Sequence, residues 1–389
     1  MPSPLEPLDS ARRSPFYEPH HEAWRETLRR WVDKEIMPFV NDWDEAGEFP
    51  RELYRKASDI GLLRLGWPEE YGGIATDPFM SLVTSQEMAR HGAGGVNASL
   101  MSHGIGLPPI RRLGSQAMKD RIIPQVLSGE KISALAITEP TGGSDVANLK
   151  TAARRDGDDY VVNGSKMFIT SGMRADYYTV AVRTGGEGAG GVSLLLIERD
   201  REGFTRTPLK KQGWWASDTA ALYFDDVRVP AENLIGQENY GFAGIMQNFN
   251  GERLGMSASA TAFARVCLED TIDWARDRRT FGKRLADHQV IRHKLADMYK
   301  RINATQSWLE MLAWRIAQGE QPIAEIALLK VQATETMEYC AREAMQVMGG
   351  TGYMRGSRVE RIYREVRVNA IGGGSEEIMR DLAARQMGI

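Results

Sequence analysis

Two stretches in the middle of the chain combine residue types that can hold a flat heterocyclic ligand. The first, residues 136–145 (AITEPTGGSD), places hydroxyls beside glycines, which allow a backbone to approach a planar molecule closely. The second, residues 163–172 (NGSKMFITSG), begins with a turn and continues as a strand on which Phe168 and Thr170 share one side. A ring and a hydroxyl in this arrangement suit stacking on a heterocycle and hydrogen bonding to it. Taken alone, each stretch also fits a structural turn and strand, which is the commoner case.

A third glycine-rich run, residues 186–191 (GEGAGG), formally matches the GxGxxG dinucleotide pattern. That pattern holds a pyrophosphate only where a strand leads into a helix, whereas strand-like segments flank this run on both sides. We therefore expect a hairpin loop here. The six histidines are scattered, and Cys267 and Cys340 are too few for a Cys/His metal set or a disulfide framework. The sequence predicts no metal site.

Composition narrows the class of protein further. The 389 residues include 49 basic and 52 acidic side chains, a net charge of −3, so no strongly basic nucleic-acid-binding domain is expected. The sequence contains no apolar run long enough for a membrane span and no secretory signal. Two lone cysteines fit a reducing compartment. We expect a cytoplasmic protein, bacterial in origin, or a mitochondrial matrix protein if the chain is a processed eukaryotic one.

The hydrophobic period divides the chain into three zones, which we interpret as domains. Residues 1–131 are helical in pattern, with a loose arm at 1–16, and residues 132–236 show short β-branched runs typical of an antiparallel barrel-like or sandwich domain. Residues 237–389 return to helical periodicity and suggest a bundle. One helical stripe of the first zone consists of Trp24, Leu28, Trp31, Ile36 and Phe39. The long helical blocks of the third zone are 241–278, 287–317, 322–348 and 375–387.

Further short motifs follow the two ligand-like stretches in a fixed order. They are SDTAALYFDDVRVP (217–230), RRTFGK (278–283), HQ (288–289), QVMGG (346–350) and IGGGS (371–375). With these motifs in this order, the chain resembles the acyl-CoA dehydrogenase family from about residue 17 to its C-terminus. The resemblance implies an α+β fold with an N-terminal helical domain, a middle antiparallel β domain and a C-terminal four-helix bundle. It also implies FAD as cofactor and oxidation of an acyl-CoA thioester across its Cα–Cβ bond.

The resemblance assigns cofactor-binding roles to many residues. The residues around the isoalloxazine are Leu135, Ala136, Ile137, Thr138, Gly143, Ser144, Phe168, Ile169 and Thr170. Those expected to reach the FAD of a neighbouring subunit are Arg278, Thr280, Phe281, Gln346 and Gly350. The remaining cofactor residues are His288, Gln289, Val347, Gly349, Ser375 and Glu377. Without the resemblance, the arginines of the 276–279 segment would be interpreted as a basic cluster at a helix C-terminus, where the macrodipole favours cations.

Within this set, the resemblance makes Thr138 and Thr170 hydrogen-bond donors to the flavin. Phe168 replaces a tryptophan that many relatives have, so the stacking surface remains and the indole N–H is lost. Ser144 is also expected at the mouth of the CoA channel.

The implied reaction needs a carboxylate that removes the α-proton of the substrate. An ordinary glutamate, with a pKa near 4.3, is too weak a base for this task in water, so the site must desolvate it and polarise the thioester carbonyl. Many relatives carry the glutamate near the C-terminus, where this chain has Gly373 instead. Glu376 and Glu377 follow closely, but Ser375 resembles an N-cap, and acids in a first turn are usually structural.

A minority of the family, including long-chain and isovaleryl types, places the glutamate on a helix of the C-terminal domain. Glu252 stands at the matching position. Its apolar stripe, recurring at helical spacing, consists of Ile245, Phe249, Met256, Ala260, Phe263 and Cys267. A carboxylate on a buried face is costly unless it is paired or used. We predict that Glu252 is the base; a salt bridge from Glu252 to an arginine of a neighbouring helix is the structural alternative.

Gly373 can keep a second role, because in the family the backbone N–H at this position bonds the thioester oxygen together with a ribityl hydroxyl of FAD. By resemblance, Phe249, Arg253 and Gly374 belong to the substrate site. The α-proton then goes to Glu252, a hydride passes from Cβ to flavin N5, and a trans-2-enoyl-CoA forms. Electrons would pass to an electron-transfer flavoprotein, and the enzyme would be a homo-oligomer, as a dimer of dimers.

Two other functions remain open at this point. One is an oxygen-using relative on the same fold, such as an acyl-CoA oxidase or a flavin monooxygenase. The other is a non-catalytic acyl-CoA-binding scaffold, which would be colourless rather than yellow. The small residues at positions 93–99 leave room for a long or branched acyl chain, but the sequence does not fix the substrate.

Overall fold

The structure, a computed structural model, describes residues 14–389, except for the side chains of residues 246–250. Most of the predicted N-terminal arm and the side chain of Phe249 therefore lie outside the described residues. The three zones of the sequence form, in order, a helical region, a curled sheet and a second helical region. No helix in this part of the chain combines the length and apolar content that crossing a membrane requires.

The N-terminal region contains one longer helix and several short helices. They are α1 (Pro19–Glu35), α2 (Val40–Ala46), α3 (Glu52–Asp59), α4 (Pro78–Met88), α5 (Gly94–Leu100), α6 (His103–Gly106), α7 (Pro108–Leu113) and α8 (Gln116–Leu127). The longer helix, α1, packs against α4. Trp24, Leu28, Trp31 and Ile36 are buried, as the α1 stripe predicts. Phe39 is 45% exposed, and its assignment to that stripe was wrong because α1 ends at Glu35.

The middle region is a seven-stranded sheet in the order β1-β4-β2-β3-β7-β6, with β5 paired to β4. Its strands are β1 (Ser133–Ala136), β2 (Ala152–Asp156), β3 (Asp159–Thr170), β4 (Tyr177–Arg183), β5 (Val192–Glu198), β6 (Phe204–Pro208) and β7 (Thr219–Pro230). The sheet is mixed rather than purely antiparallel, because β1 and β2 each pair with β4 in parallel. Parallel neighbours need a crossover, and here a long segment separates each pair along the chain.

The GEGAGG run connects two antiparallel neighbours. Strands β4 and β5 pair from Tyr177↔Glu198 to Arg183↔Val192, so residues 186–191 form the end of a hairpin. The prediction of a hairpin loop is confirmed: the run contains a single 3₁₀ turn, Ala189–Gly191, and leads into strand β5 rather than into an α-helix.

The C-terminal region contains more helices than the sequence indicated. They are α9 (Gly241–Asp277), α10 (Gln289–Ala317), α11 (Ile323–Met348), α12 (Gly350–Tyr353), α13 (Arg358–Ile371) and α14 (Glu376–Gln386), with a small hairpin of β8 (Arg279–Thr280) and β9 (Lys283–Arg284) after α9. Helix α11 packs against α9, α10, α13 and α14. The periodicity analysis missed α13, because several buried positions of this helix are occupied by charged residues, among them Glu360, Arg361 and Glu365.

Those charged residues join the three regions of the chain. The Glu365 carboxylate on α13 accepts hydrogen bonds from the N–H groups of Gly94, on α5, at 2.6 Å and of Trp214, between β6 and β7, at 3.2 Å. Asp44 on α2 forms ion pairs with Arg364 at 2.7 Å and Arg361 at 3.3 Å. Glu365 and Arg361 thus take donors or partners from other regions of the chain, which makes the junction specific.

Candidate active site

A buried ion pair braces the loop between β1 and β2. The Lys166 amino group lies 2.7 Å from an oxygen of Glu139 and donates to the Ile137 carbonyl at 3.1 Å. The Glu139 carboxylate also accepts from the backbone N–H groups of Lys150 at 2.6 Å and Thr151 at 2.8 Å. Both charged side chains are buried. The pair therefore fixes the loop against β3, on which Lys166 lies.

The sequence analysis did not single out this pair. Burial lowers the pKa of Lys166 to about 8, against the attraction of Glu139. Burial acts to raise the pKa of Glu139, but Lys166 and the donors around the carboxylate outweigh it, and the net shift is downward. The alternation on β3 could have predicted that Lys166 is buried. Tyr160, Val162 and Lys166 lie on positions of the same parity, and all three are buried.

The loop preceding this brace places the predicted flavin contacts at different depths. Ala136 and Ile137 are buried, so these residues can offer a ligand mainly their backbone groups. Thr138 is half-buried, and its carbonyl accepts from the Met167 N–H at 2.8 Å, which sets the loop beside β3. Gly143 and Ser144 are exposed. Leu135 is half-buried and packs at the edge of a hydrophobic cluster.

Phe168 lies in a bulge of β3. Lys166 pairs with Leu222 and Ile169 with Ala220, so β3 has one residue more than β7 in this interval. The backbone of Phe168 is in the left-handed region, with φ +63°, and its ring is 67% exposed. Ile169 is buried and Thr170 half-buried, while the bulge interrupts the regular alternation of β3 at Phe168. Such a strained bulge with a free ring is a device that redirects a side chain.

A second exposed phenylalanine lies at the tip of the β8–β9 hairpin. Phe281 is 97% exposed and also has a positive φ, of +51°. The Thr280 hydroxyl lies 3.2 Å from His288 Nε2, and the Arg278 guanidinium lies over the Trp274 ring at 5.7 Å. Phe281 is thus held out from the chain on a short, internally bonded projection.

The other predicted neighbouring-subunit residues lie at the C-terminal end of α11. Gln346, Gly349 and Gly350 are exposed, while Val347 is buried; Gln289, at the start of α10, is exposed. Within residues 14–389, no hydrogen bond or ion pair joins either the 278–289 segment or the 346–350 segment to the β1–β2 loop or to β3. The structure of one chain therefore leaves the two groups of predicted cofactor residues unconnected by polar contacts.

Glu252 lies about a third of the way along α9 with a desolvated carboxylate. One carboxylate oxygen, Oε2, is buried and has no hydrogen-bond partner among the described residues. Burial raises the pKa of Glu252 to about 7, against the attraction of Arg253 and Lys330. No ion pair to Glu252 occurs in the described part of the chain, so the predicted structural alternative, a salt bridge to an arginine, has no support there. This is the environment that a general base requires.

The Gly373–Gly374 turn lies against α9 close to Glu252. The Gly373 carbonyl accepts from Arg253 Nε at 3.2 Å, and a Cβ on Gly373 would lie 2.7 Å from Met256 Sδ. Gly373 has φ +66° and Gly374 has φ +103°, a conformation that favours glycine. In the described residues, the Gly373 N–H has no protein acceptor, so it is available to a ligand.

The rival acids near the C-terminus have ordinary structural roles. The Ser375 hydroxyl accepts from the Ile378 N–H at 3.4 Å and caps α14. Glu376 lies 3.3 Å from Arg380, one turn further along the helix. Glu377 is exposed, and its own backbone N–H and the Ser375 hydroxyl lower its pKa. Glu376 is thus ion-paired and Glu377 exposed, whereas Glu252 has a buried oxygen with no partner among the described residues.

Two of the six histidines, which the sequence analysis treated as scattered, meet at one carboxylate. The Nε2 atoms of His20 and His21 lie 3.2 Å and 2.9 Å from Asp77 Oδ2. However, His21 Nδ1 accepts from the Glu18 N–H at 2.8 Å, so the proton of His21 must be on Nε2 and point at Asp77. A metal at that nitrogen would need the other tautomer. The cluster therefore fixes the start of α1 and is not arranged as a metal site.

The groups around the β1–β2 loop and β3 fit a flavin. They offer an exposed ring held in a strained bulge, half-buried threonine hydroxyls and an exposed glycine segment, all fixed by the buried Glu139–Lys166 pair. Together with the order of a helical region, a curled sheet and a second helical region, they indicate a flavin-dependent oxidoreductase.

Comparison with known proteins identifies the family within this class. Family models match residues 18–130, 134–227 and 239–388, as the N-terminal, middle and C-terminal domains of acyl-CoA dehydrogenase. The chain belongs to the acyl-CoA dehydrogenase family, whose members oxidise acyl-CoA thioesters with FAD.

Individual relatives agree over nearly the whole chain. The long-chain specific acyl-CoA dehydrogenase of Rattus norvegicus mitochondria is 37% identical, covering 96% of this chain and 87% of the relative. The crystal structure of an acyl-CoA dehydrogenase from Geobacillus kaustophilus has a TM-score of 0.93 at 36% identity, covering 97% and 100% of the two chains. A glutaryl-CoA dehydrogenase from Mycobacterium smegmatis in complex with FADH2 has a TM-score of 0.91 at 28% identity, covering 99% and 98%.

Proposed function

We propose that Glu252 is the base of an acyl-CoA α,β-dehydrogenation that yields the trans-2-enoyl-CoA. The observation that supports this assignment is the Oε2 atom of Glu252, which is buried without a partner on a helix that also contacts the Gly373 turn. Desolvation makes the carboxylate a stronger base, and removal of the α-proton returns it to the neutral form that burial favours. FAD supplies, when bound, the flavin that accepts the hydrogen leaving Cβ.

We propose that the Gly373 N–H polarises the substrate carbonyl. An N–H without a protein acceptor, in a turn whose carbonyl is held by Arg253, is preorganised for an oxyanion that develops during proton removal. Glycine is suited to the position because its φ is positive and because a side chain would collide with Met256. Arg253 and Gly374 lie at the same place, which supports the prediction that they border the substrate.

For the cofactor, we propose that the β1–β2 loop and β3 hold the flavin ring through backbone groups of 135–138, the hydroxyls of Thr138 and Thr170, and the ring of Phe168. Gly143 and Ser144 would border the same ligand. The projecting Phe281 and the exposed end of α11 would complete the site of a second subunit, in a homo-oligomer arranged as a dimer of dimers. The exposure of Phe281 and the lack of polar contacts between the two groups support this division.

For the substrate and the electron acceptor, we propose a long or branched acyl-CoA and an electron-transfer flavoprotein. The position of Glu252 on α9 and the long-chain relative support the choice of substrate. The reduced enzyme should then reoxidise slowly in air and rapidly with an electron-transfer flavoprotein. Fast consumption of oxygen would favour the oxygen-using alternative instead.

The test is anaerobic, single-turnover reduction of the bound flavin with butyryl-, octanoyl-, palmitoyl- and isovaleryl-CoA. Glu252→Gln keeps the shape of the side chain and removes the base, so we expect at least about 10²-fold slower bleaching with every substrate. FAD content, read from the absorbance of the purified protein, should be unchanged. The matched control, Glu376→Gln, should stay within about twofold of wild type. Near-normal reduction by Glu252→Gln would refute the assignment.

A further inference from the structure

A buried lysine from a third helix reaches the Gly373–Gly374 turn. Lys330 lies on α11, is 1% exposed, and donates through its amino group to the Gly374 carbonyl at 2.8 Å. Within the described residues it forms no ion pair with a carboxylate. Burial of an ammonium group without a carboxylate partner is costly, so we expect Lys330 to have a role beyond packing.

The turn is held by cations from two helices. Arg253 of α9 binds the Gly373 carbonyl, and Lys330 of α11 binds the next carbonyl, that of Gly374. In a trans peptide the C=O and the following N–H point in opposite directions, so fixing these carbonyls also fixes the N–H groups of Gly374 and Ser375. These two donors therefore fix the two peptide planes that directly follow the Gly373 N–H, which in the described residues has no protein acceptor.

Lys330 also lies within the electrostatic reach of the proposed base. Glu252 faces it from α9, and Glu376 and Glu377 face it from α14, while Arg253 adds a second positive charge on the α9 side. Burial lowers the pKa of Lys330 to about 8, against the attraction of these acids. Lys330 in turn acts to lower the pKa of Glu252, against burial. The two groups thus stabilise each other's charged forms across the α9–α11 interface.

We infer that Lys330 is a positioning residue for the proposed reaction, which fixes the Gly373–Gly374 turn through its hydrogen bond and keeps Glu252 ionised through its charge. The inference rests on the proposed function. Lys330 would contribute in two ways, through its hydrogen bond to the turn and through its charge near Glu252, and three substitutions can measure these contributions separately. Lys330→Met removes both, Lys330→Gln keeps a donor without the charge, and Lys330→Arg keeps both.

The experiment measures anaerobic flavin reduction of the FAD-loaded enzyme from pH 5.5 to 9.5, with the acyl-CoA of the panel that reduces the wild type fastest. The base must be ionised to act, so activity rises with pH through its pKa, and loss of a neighbouring cation moves this limb upward. We expect a shift of about one pH unit in Lys330→Met and Lys330→Gln, hence about tenfold slower reduction below the limb. Lys330→Arg should keep the limb of the wild type.

At high pH, where Glu252 is ionised in every variant, the hydrogen bond becomes visible on its own. Lys330→Gln should reach the wild-type plateau, whereas Lys330→Met should remain about fivefold slower because the Gly374 carbonyl has lost its donor.

The matched control is Lys211→Met. This second lysine is also largely desolvated, with a pKa lowered to about 8, but it donates to oxygens of the 211–219 segment in the middle region. We expect it to lower the melting temperature without moving the limb.

An unmoved limb in both Lys330→Met and Lys330→Gln would overturn the inference, and so would an equal shift in Lys211→Met. If Lys330→Met does not fold, Lys330→Gln decides the question by itself. Either outcome leaves the proposed function to be judged separately by Glu252→Gln, which abolishes the reaction at every pH only if Glu252 is the base.

Discussion

Glu252 on α9 and Glu365 on α13 have carboxyl groups whose pKa burial raises to about 7, yet their surroundings differ. The oxygens of Glu365 accept from two backbone N–H groups, of Gly94 and Trp214, and the side chain is almost completely buried. Glu252 has an oxygen, Oε2, with no partner in the described residues and lies beside a turn with a free N–H. A raised pKa therefore does not identify a base. What distinguishes Glu252 is the buried acceptor Oε2, for which the described residues supply no donor.

The largest expected effect tests the structural half of this comparison. Glu365→Ala leaves the two buried backbone donors without their acceptor and removes a negative charge near Arg361 and Arg364, so the free energy of unfolding should fall by about 3 kcal/mol. Urea unfolding at pH 7 measures the loss. Flavin reduction per bound FAD should stay within about twofold of wild type. A variant of normal stability with a 10²-fold slower reaction would instead give Glu365 the catalytic role.

Glu252 should show the opposite pattern, a gain in stability on removal of its charge. Its pKa is raised in the folded protein, so ionisation costs stability as pH rises through about 7, and below the unfolded pKa this cost is absent. Glu252→Gln should therefore be more stable than wild type at pH 8, by about 1 kcal/mol after allowance for partial exposure. At pH 4 the difference should vanish. A loss of stability at pH 8 would mean that the carboxylate has a partner in solution.

The smallest expected effect is an absence of coupling between the two acids. Flavin reduction by the wild type should rise with pH through a limb that reports the ionisation of Glu252. In Glu365→Gln, this limb should stay within about 0.2 pH units of its original position, because the two carboxyl groups have different neighbours. A larger displacement, with normal FAD content, would show that the junction and the reacting site communicate.

The sequence was sufficient for the features that depend on local pattern. Helical spacing on α9 identified the stripe on which Glu252 lies, and the strand-like flanks of GEGAGG excluded a dinucleotide site. The division of the chain at residues 131/132 and 236/237 stays a prediction. So do the individual cofactor contacts, among them Phe168 and Thr170.

Other features depend on tertiary packing, and the local sequence pattern does not predict them. Helix α13 was missed because its buried charges are neutralised by residues such as Asp44, more than 300 positions earlier in the chain. Nothing in the local sequence identifies the partners of Lys330 and Lys166. Lys330 binds the Gly374 carbonyl, and Lys166 binds the Ile137 carbonyl and Glu139, contacts that only the tertiary structure shows. The parallel pairing of β1 with β4 is likewise a matter of chain path, which hydrophobic alternation does not encode.

The contacts of Glu365 have a consequence for how the molecule comes apart. Its carboxylate takes one donor from 271 and another from 151 positions earlier in the chain, so the junction exists only while all three regions are in place. Melting any one region breaks at least one of these buried hydrogen bonds and exposes charged groups that were shielded. Heat denaturation of a single chain should thus follow one cooperative calorimetric peak rather than three, and weakening this contact should split that peak.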